Sequence, residues 1–413
     1  MYCRPRWLRP EIYAAVKAAF NELLARGIIS RSDSAWSSPL HVVPKKDDSW
    51  RPVGDYRALN NLTARDTYPL PHLHTFADSL FGTSIYSKVD LKETFLQIPV
   101  HPNDIAKTNI TTPFGAFQYN YMSYGPSGAS QSFQRFIDTV LRDLCVIDSI
   151  GISRPVTVFA YIDEILIASS DEAAHKLDLR ALFVRLSEYG LRINLHKCAF
   201  GVSTLKFLGH KLSKEGLAPL PEKVVALQQY SRPETAKDLR RYLGMINFYR
   251  RFVPRAAQTL APLYDLLKIA CKRSSRGMLE WTHETVSAFE KSKSDLLNAT
   301  MLAYPAPGAR IYLAADASDN AVGAVLQQQL PDGTMQPLGF LSRRLDPAQI
   351  KWSIFGRELL AVYLGVHHFA YFLEGAQFII QTDHQALISA AASAKIRDIA
   401  RVSAVAILSN YAC

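Results

Sequence analysis

The chain has 413 residues, 48% apolar and 20% charged, with 20 Gly and 22 Pro, the composition of a folded protein of several domains rather than of a disordered or collagen-like one. No apolar run approaches a membrane span, the start MYCRPRWLRPEIY lacks the apolar core of a secretory signal, and five scattered cysteines form no CxxC pair; no membrane partner, disulfide framework or zinc framework is expected, and an intracellular, unsecreted protein is. The net charge of +10 is localised, because residues 197–276 hold 16 Lys or Arg against five acids, a footprint that suits a polyanion as well as a solvated basic surface.

In chain order, residues 11–28 read as an amphipathic helix, with Ile12, Val16, Phe20, Leu23 and Leu24 at helical spacing. The runs 39–44 and 50–53 predict a hairpin with a basic tip, 84–89 a strand, 129–144 a helix, and 156–167 a strand, turn and strand. Residues 233–267 form a helical region in which Leu239, Tyr242, Leu243, Ile246, Tyr249 and Phe252 make one buried stripe, with Pro254 ending or kinking it. A linker is expected at 272–277, then strands at 311–315 and 322–328, an Asp332-Gly333 turn, a long helix at 353–372 and a strand at 378–382.

The chemistry concentrates in FAYIDEILIAS (159–169), where Asp163 and Glu164 interrupt an apolar, β-prone run. Unpaired charge is costly there, so a hairpin tip is the favourable place and a divalent cation a reason for it, an ordinary acidic turn being the plain alternative. Asp90 follows the strand 84–89; three carboxylates at strand ends can hold two Mg²⁺ ions about 4 Å apart for in-line phosphoryl transfer.

With WRPVGDYRALN (50–60), TYPLPHL (67–73), SKVDL (87–91), ITTPFGAFQYNYMSYG (110–125), LRINLHKCAFG (191–201), FLGH (207–210) and LRRYLGMINFYRRFVP (239–254), the sequence resembles the reverse transcriptase and ribonuclease H region of the polyprotein of gypsy-class long-terminal-repeat retrotransposons. The resemblance implies an α+β right-hand polymerase followed by a ribonuclease H-like α/β domain: fingers and palm over 1–211, thumb and connection over 212–280, and ribonuclease H over 281–413. It implies an RNA-directed DNA polymerase, a nucleotidyltransferase working on an RNA template, a DNA primer and deoxynucleoside triphosphates. A second activity would degrade RNA in RNA-DNA hybrids, and a retrotransposon particle in the cytoplasm, or the nucleus, would be its location. Asp90, Asp163 and Glu164 would hold Mg²⁺, with Mn²⁺ able to substitute. Lys45 and Arg51 would grip the triphosphate, Phe95 exclude a 2′-hydroxyl, Tyr124 lie beside the nucleotide and Lys197 protonate pyrophosphate. Phe207, Leu208 and Gly209 would meet the primer end, while Arg240, Arg241, Arg250 and Arg251 contact phosphates and Gly244 allows close approach to a groove.

In the C-terminal third, Asp316 ends a strand, Glu358 lies in the first turns of a helix and Asp383 ends another strand, an order that resembles the ribonuclease H metal site of the same family; His384 is expected to be structural. Four departures bear on activity. YIDE (161–164) replaces YxDD, MSYGPSGASQSFQ (122–134) lacks two prolines of the family pattern, and 145–158 is several residues longer, which suggests a surface loop. The end at Cys413 implies a ribonuclease H domain truncated before its last strand, helix and fourth acid. A nucleic-acid-binding relic without catalysis is the alternative reading.

Overall fold

A computed structural model of the chain describes residues 4–44, 49–72, 75–147, 152–273, 278–385, 387 and 405–409. It divides into two compact units, Met1–Thr75 with Thr83–Ser203, and Phe76–Gly82 with Thr204–Cys413. The expected boundary at 211/212 would cut through an antiparallel meander of Thr204–Phe207, His210–Ser213 and Gly216–Pro219, and ladder hydrogen bonds place that whole sheet in the second unit instead.

In the first unit, the helix Pro10–Ala25 begins on a proline at its first turn and buries Val16 and Phe20. These pack with Tyr56 and with Leu40, Ile110 and Phe117 of a five-stranded sheet that contains the expected hairpin, Ser38–Pro44 against Trp50–Gly54. A second sheet runs in the order Ala199–Val202, Ile85–Asp90, Glu164–Ser169, Thr157–Tyr161, antiparallel throughout. Two helices, Ala129–Leu141 and Glu172–Glu188, cover one of its faces, where Phe133, Ile137, Leu182 and Leu186 close a core over Val89, Ile165 and Ile167. Alternation then leaves Lys88, Asp90 and Glu164 on the opposite face. The long 145–158 segment is not a plain loop: Cys145–Ile147 pairs with Ser153–Pro155, and Arg154 reaches the buried Asp178 at 2.8 Å.

In the second unit, the helical region is interrupted near Pro254, as expected. Ala236–Phe248, capped by Thr235, ends before a turn at Arg250–Phe252, and Ala256–Arg273 follows Pro254 and a left-handed Arg255. That helix runs into the expected linker, whose residues 274–277 lie outside the described ones. After His283–Leu297 comes a five-stranded sheet in the order Met335–Arg344, Ala321–Gln329, Arg310–Ala317, Phe378–Thr382, Val405–Ser409. The first three strands are antiparallel, and Phe378–Thr382 runs parallel to both Arg310–Ala317 and Val405–Ser409. A fifth strand, Val405–Ser409, thus lies at the edge of this sheet. The helix Ile354–His368 lies on this sheet, where Gly365 allows close approach because a Cβ would stand 3.1 Å from Ala324 Cβ. Buried Phe369 separates it from a short helix, Ala370–Leu373, within what reads as one helix. Among the described residues no helix is long and apolar enough to cross a membrane.

Candidate functional site

Asp90 closes its strand directly opposite Glu164, and Asp163 occupies the two-residue turn that links Tyr161 to Glu164. The Leu91 N–H donates to the Asp163 carbonyl at 2.9 Å, joining the turn to the Asp90 strand. Burial pushes the Asp90 carboxyl above its ordinary range; Lys197, 3.8 Å away, opposes this and the charge of Asp163 adds to it. Glu164 behaves differently. Its Oε1 lies 3.5 Å from Lys88 Nζ, a neighbour on the same strand face that sequence reasoning passes over. Among the described residues Asp90, Asp163 and Glu164 do not form a group whose carboxylate oxygens all lie within 4.8 Å of one another, and the Glu164 side chain faces Lys88.

Beside these acids the structure brings together three of the expected nucleotide-binding residues. The Arg51 guanidinium sits 5.2 Å from the Tyr124 ring centre, and the Tyr124 ring meets Phe95 edge-on at 5.2 Å. Burial raises the Tyr124 phenol, Arg51 lowers it, and Glu93 and Asp163 add smaller upward contributions. Gly125 fixes this wall: it has φ +114, and a Cβ there would stand 2.8 Å from the Gly54 carbonyl oxygen. Lys197 is well exposed beside Asp90. Lys45 lies outside the described residues.

The expected primer and template residues separate into exposed and buried sets. Leu208 and Gly209 form a two-residue turn with φ of 44° and 81°, but Phe207 is buried against Phe76 and belongs to the core. On Ala236–Phe248, Arg240, Arg241 and Gly244 are exposed, Arg240 donating to Cys271 Sγ at 3.0 Å. Arg250 and Arg251 correct the expectation of a solvent-facing basic stripe. Arg250 donates to the Ser342 carbonyl, and burial lowers Arg251 to about 10 against the compensating charge of Asp78. The turn after Phe248 leaves both half-buried and held by contacts within the second unit, unlike the exposed Arg240 and Arg241.

In the second unit, one carboxylate oxygen from each of Asp316, Glu358 and Asp383 lies within 4.8 Å of the others. A strand end, a helix and another strand end deliver them, as expected. Ser353 caps that helix by accepting from the Gly356 N–H. Glu358 is buried; its Oε1 accepts from the Ala317 N–H at 3.1 Å and its Oε2 has no hydrogen-bond partner. Burial first, then Asp316 and Asp383, push its carboxyl up to about 7. An orphaned buried oxygen facing two further carboxylates fits a hard divalent cation, which would satisfy all three. Arg357, unremarked in the sequence, ties the adjoining loop down through Ser318 O and Asp319; only its place next to Glu358 could have signalled it. His384 meets Phe355 edge-on at 5.9 Å. A cavity of about 340 Å³ lined by Arg255, Gln258, Ser342, Asp316 and Asp383 adjoins the trio. After Asp383 the sequence has one further acid, Asp398, outside the described residues.

An antiparallel sheet with an Asp-tipped hairpin beside a cationic and aromatic wall, and a mixed sheet with a carboxylate trio, define a class: acid-centred phosphoryl-transfer folds. Residues 43–212 match the family of reverse transcriptases (RNA-dependent DNA polymerases), and residues 281–380 match the RNase H-like domain found in reverse transcriptase. Among curated proteins, the Tf2-3 and Tf2-7 transposon polyproteins of Schizosaccharomyces pombe are each 34% identical over 383 residues, 92% of this chain and 28% of theirs. The chain thus spans less than a third of the length of these relatives. Two solved structures of the foamy viral protease-reverse transcriptase align with all of this chain at 20% identity. The complex with dsDNA has a TM-score of 0.86 over 85% of that chain, and the complex with an RNA/DNA hybrid 0.82 over 55%. The chain therefore carries a reverse transcriptase domain and a ribonuclease H-like domain, in the α+β right-hand polymerase fold.

Proposed function

We propose that the chain is the RNA-directed DNA polymerase and ribonuclease H portion of a longer, intracellular retrotransposon polyprotein of the gypsy class. The observation that carries this reading is the presence of two separate acid sites, Asp90 with Asp163 of the neighbouring hairpin turn, and the trio Asp316, Glu358, Asp383 from two strand ends and a helix of the second unit. The first unit would then serve as fingers and palm, the stretch from Thr204 to about residue 280 as thumb and connection, and the remainder as the nuclease.

The donor sets are all carboxylate oxygen, which suits Mg²⁺, and Mn²⁺ as a substitute. When bound, the ion supplies positive charge to phosphate oxygens and acidity to the attacking oxygen. Asp90 and Asp163 would hold it in the polymerase; Asp316, Glu358 and Asp383 would hold it in the nuclease. Arg51, with Lys45, meets the triphosphate of the incoming deoxynucleotide and stabilises charge that grows on the leaving group. Phe95 and Tyr124 wall the sugar, so that a ribose 2′-hydroxyl meets an aromatic edge. Lys197, whose ammonium stands next to Asp90, can give its proton to pyrophosphate. Leu208 and Gly209 would support the primer end, while Arg240 and Arg241 contact template-primer phosphates and Gly244 lets the helix approach them.

Primer extension on an RNA template, with Mg²⁺ or Mn²⁺, tests the polymerase, and cleavage of a labelled RNA-DNA hybrid tests the nuclease. Asp90→Asn should abolish extension and leave cleavage; Asp316→Asn should do the reverse. Loss of both activities in either variant, or of neither, would overturn the assignment of two independent sites. Millimolar Mg²⁺ should raise the Tm of the second unit in the wild type and leave a Glu358→Gln variant unchanged.

A further inference from the structure

The segment TYPLPHL and the helix Ala129–Leu141 have no part in the chemistry above, yet they converge on the catalytic hairpin. Gln134, on that helix, is fully buried (0% exposed). Its Oε1 accepts from the Ile162 N–H at 2.8 Å, and its Nε2 donates to the Ala160 carbonyl at 3.0 Å and to Asp138 Oδ1 at 2.9 Å. The partners dictate the orientation of the amide, because an N–H needs an acceptor while a carbonyl and a carboxylate need donors; a flipped amide would fail all three. The other Asp138 oxygen accepts from the Tyr68 hydroxyl at 2.6 Å. Tyr68 is itself clasped: the Arg135 guanidinium lies 4.8 Å from its ring centre and pairs with Asp66, which accepts from the Tyr68 N–H at 2.9 Å.

What this relay holds is an unfavourable backbone. Ile162 has φ +52, a left-handed conformation that a β-branched residue rarely adopts. Its N–H lies outside the strand ladder, so without Gln134 that part-buried donor would lose its protein partner. The next residue is Asp163, whose carbonyl is tied to Leu91 on the other side. The turn is therefore gripped at two successive residues, one grip leading to the Asp90 strand and the other to Gln134.

We infer that Gln134, backed by Asp138 and Tyr68, is a positioning residue for Asp163: it keeps Ile162 left-handed and so sets where the Asp163 carboxylate stands relative to Asp90. The inference rests on the reading of Asp90 and Asp163 as the polymerase acids. It also gives the Asp66–Tyr68 segment a role, as the clasp that fixes the far end of the relay.

Two measurements on the full chain test it. Hydrogen exchange at single-residue resolution needs no activity. The Ile162 amide should be protected in the wild type and exchange at least 100-fold faster in Gln134→Met, which keeps length but neither accepts nor donates in this way, while the Leu166 ladder amide stays protected. Exposure of the Ile162 amide in the wild type, or unchanged protection in Gln134→Met, would overturn the proposal. In single-nucleotide extension, Gln134→Met should lower kcat per active molecule more than tenfold with KM for the nucleotide within about twofold, and Tyr68→Phe should lower it less. Ile162→Gly, which removes the left-handed penalty, should recover most of the loss when added to Gln134→Met. A purely structural role would reduce only the fraction of active molecules and would not be rescued by glycine. Extension that survives Asp90→Asn would instead sink the polymerase reading itself, whereas extension abolished by Asp90→Asn but unaffected by Gln134→Met would sink this inference alone.

Discussion

His210 offers a quantitative test of the second unit. It is 1% exposed and surrounded by aromatic rings: Phe248 stacks on it at 5.2 Å, Phe252 at 5.5 Å and Tyr249 at 6.1 Å. Its Nδ1 bonds the Leu208 carbonyl at 3.0 Å, while Nε2 is buried with no partner. A second proton would go to Nε2, unpaired, and Arg251 adds like charge; burial above all lowers the ring from 6.5 to about 4. The folded state thus binds this proton less readily than the unfolded chain. Stability from His210 is fully present above pH 6.5 and is lost as pH falls from there through 4. The shift corresponds to roughly 3 kcal/mol in all, of which about 2 kcal/mol is lost between pH 7 and pH 5. His210→Asn keeps an N–H for Leu208 and cannot titrate. Urea unfolding of the full chain, followed through tryptophan fluorescence, should show a pH 7 to pH 5 loss about 2 kcal/mol smaller in the variant. Equal losses, or an NMR titration of His210 near pH 6.5, would refute the buried neutral ring.

Glu164→Asp shortens the side chain that Lys88 engages and should raise primer extension more than tenfold, at least about 1.4 kcal/mol of barrier, with little change in nucleotide affinity; equal rates would count against a role for that engagement. Gly125→Ala puts a Cβ 2.8 Å from Gly54 O at φ +114 and should destabilise by about 1–3 kcal/mol while weakening nucleotide binding, checked by Tm and Kd together. Arg241→Gln should reduce the log-log salt slope of duplex binding by about 0.9 without lowering Tm. Arg251→Gln, at a half-buried position, should lower Tm and leave the slope, and a reversed pattern would restore Arg251 to the binding surface.

Much of the local structure was legible in the sequence because periodicity and chain order report on it directly. An apolar, β-branched run interrupted by Asp163 and Glu164 has one favourable arrangement, a hairpin with the acids at its tip, and Asp90 follows the same rule. Asp316, Glu358 and Asp383 were equally legible, since each sits at the end or start of an element that its own neighbours specify. The Leu239 to Ile246 stripe gave its helix for the same reason. Tertiary structure alone decided what the side chains do once elements meet. Whether Glu164 joins the other acids or turns to Lys88 depends on a neighbouring strand brought alongside it by the ladder. Arg250 and Arg251 carry no local mark of their contacts, because a turn at Arg250–Phe252 changes the face that helical spacing predicts. The strand Val405–Ser409 has Val405 and Ile407 to favour extended backbone, but its place in the sheet, parallel to Phe378–Thr382, is decided only by the tertiary pairing. Gln134 and Ile162 are 28 residues apart; no spacing rule connects them, and the hydrogen bond exists only because a helix and a hairpin are packed into one core.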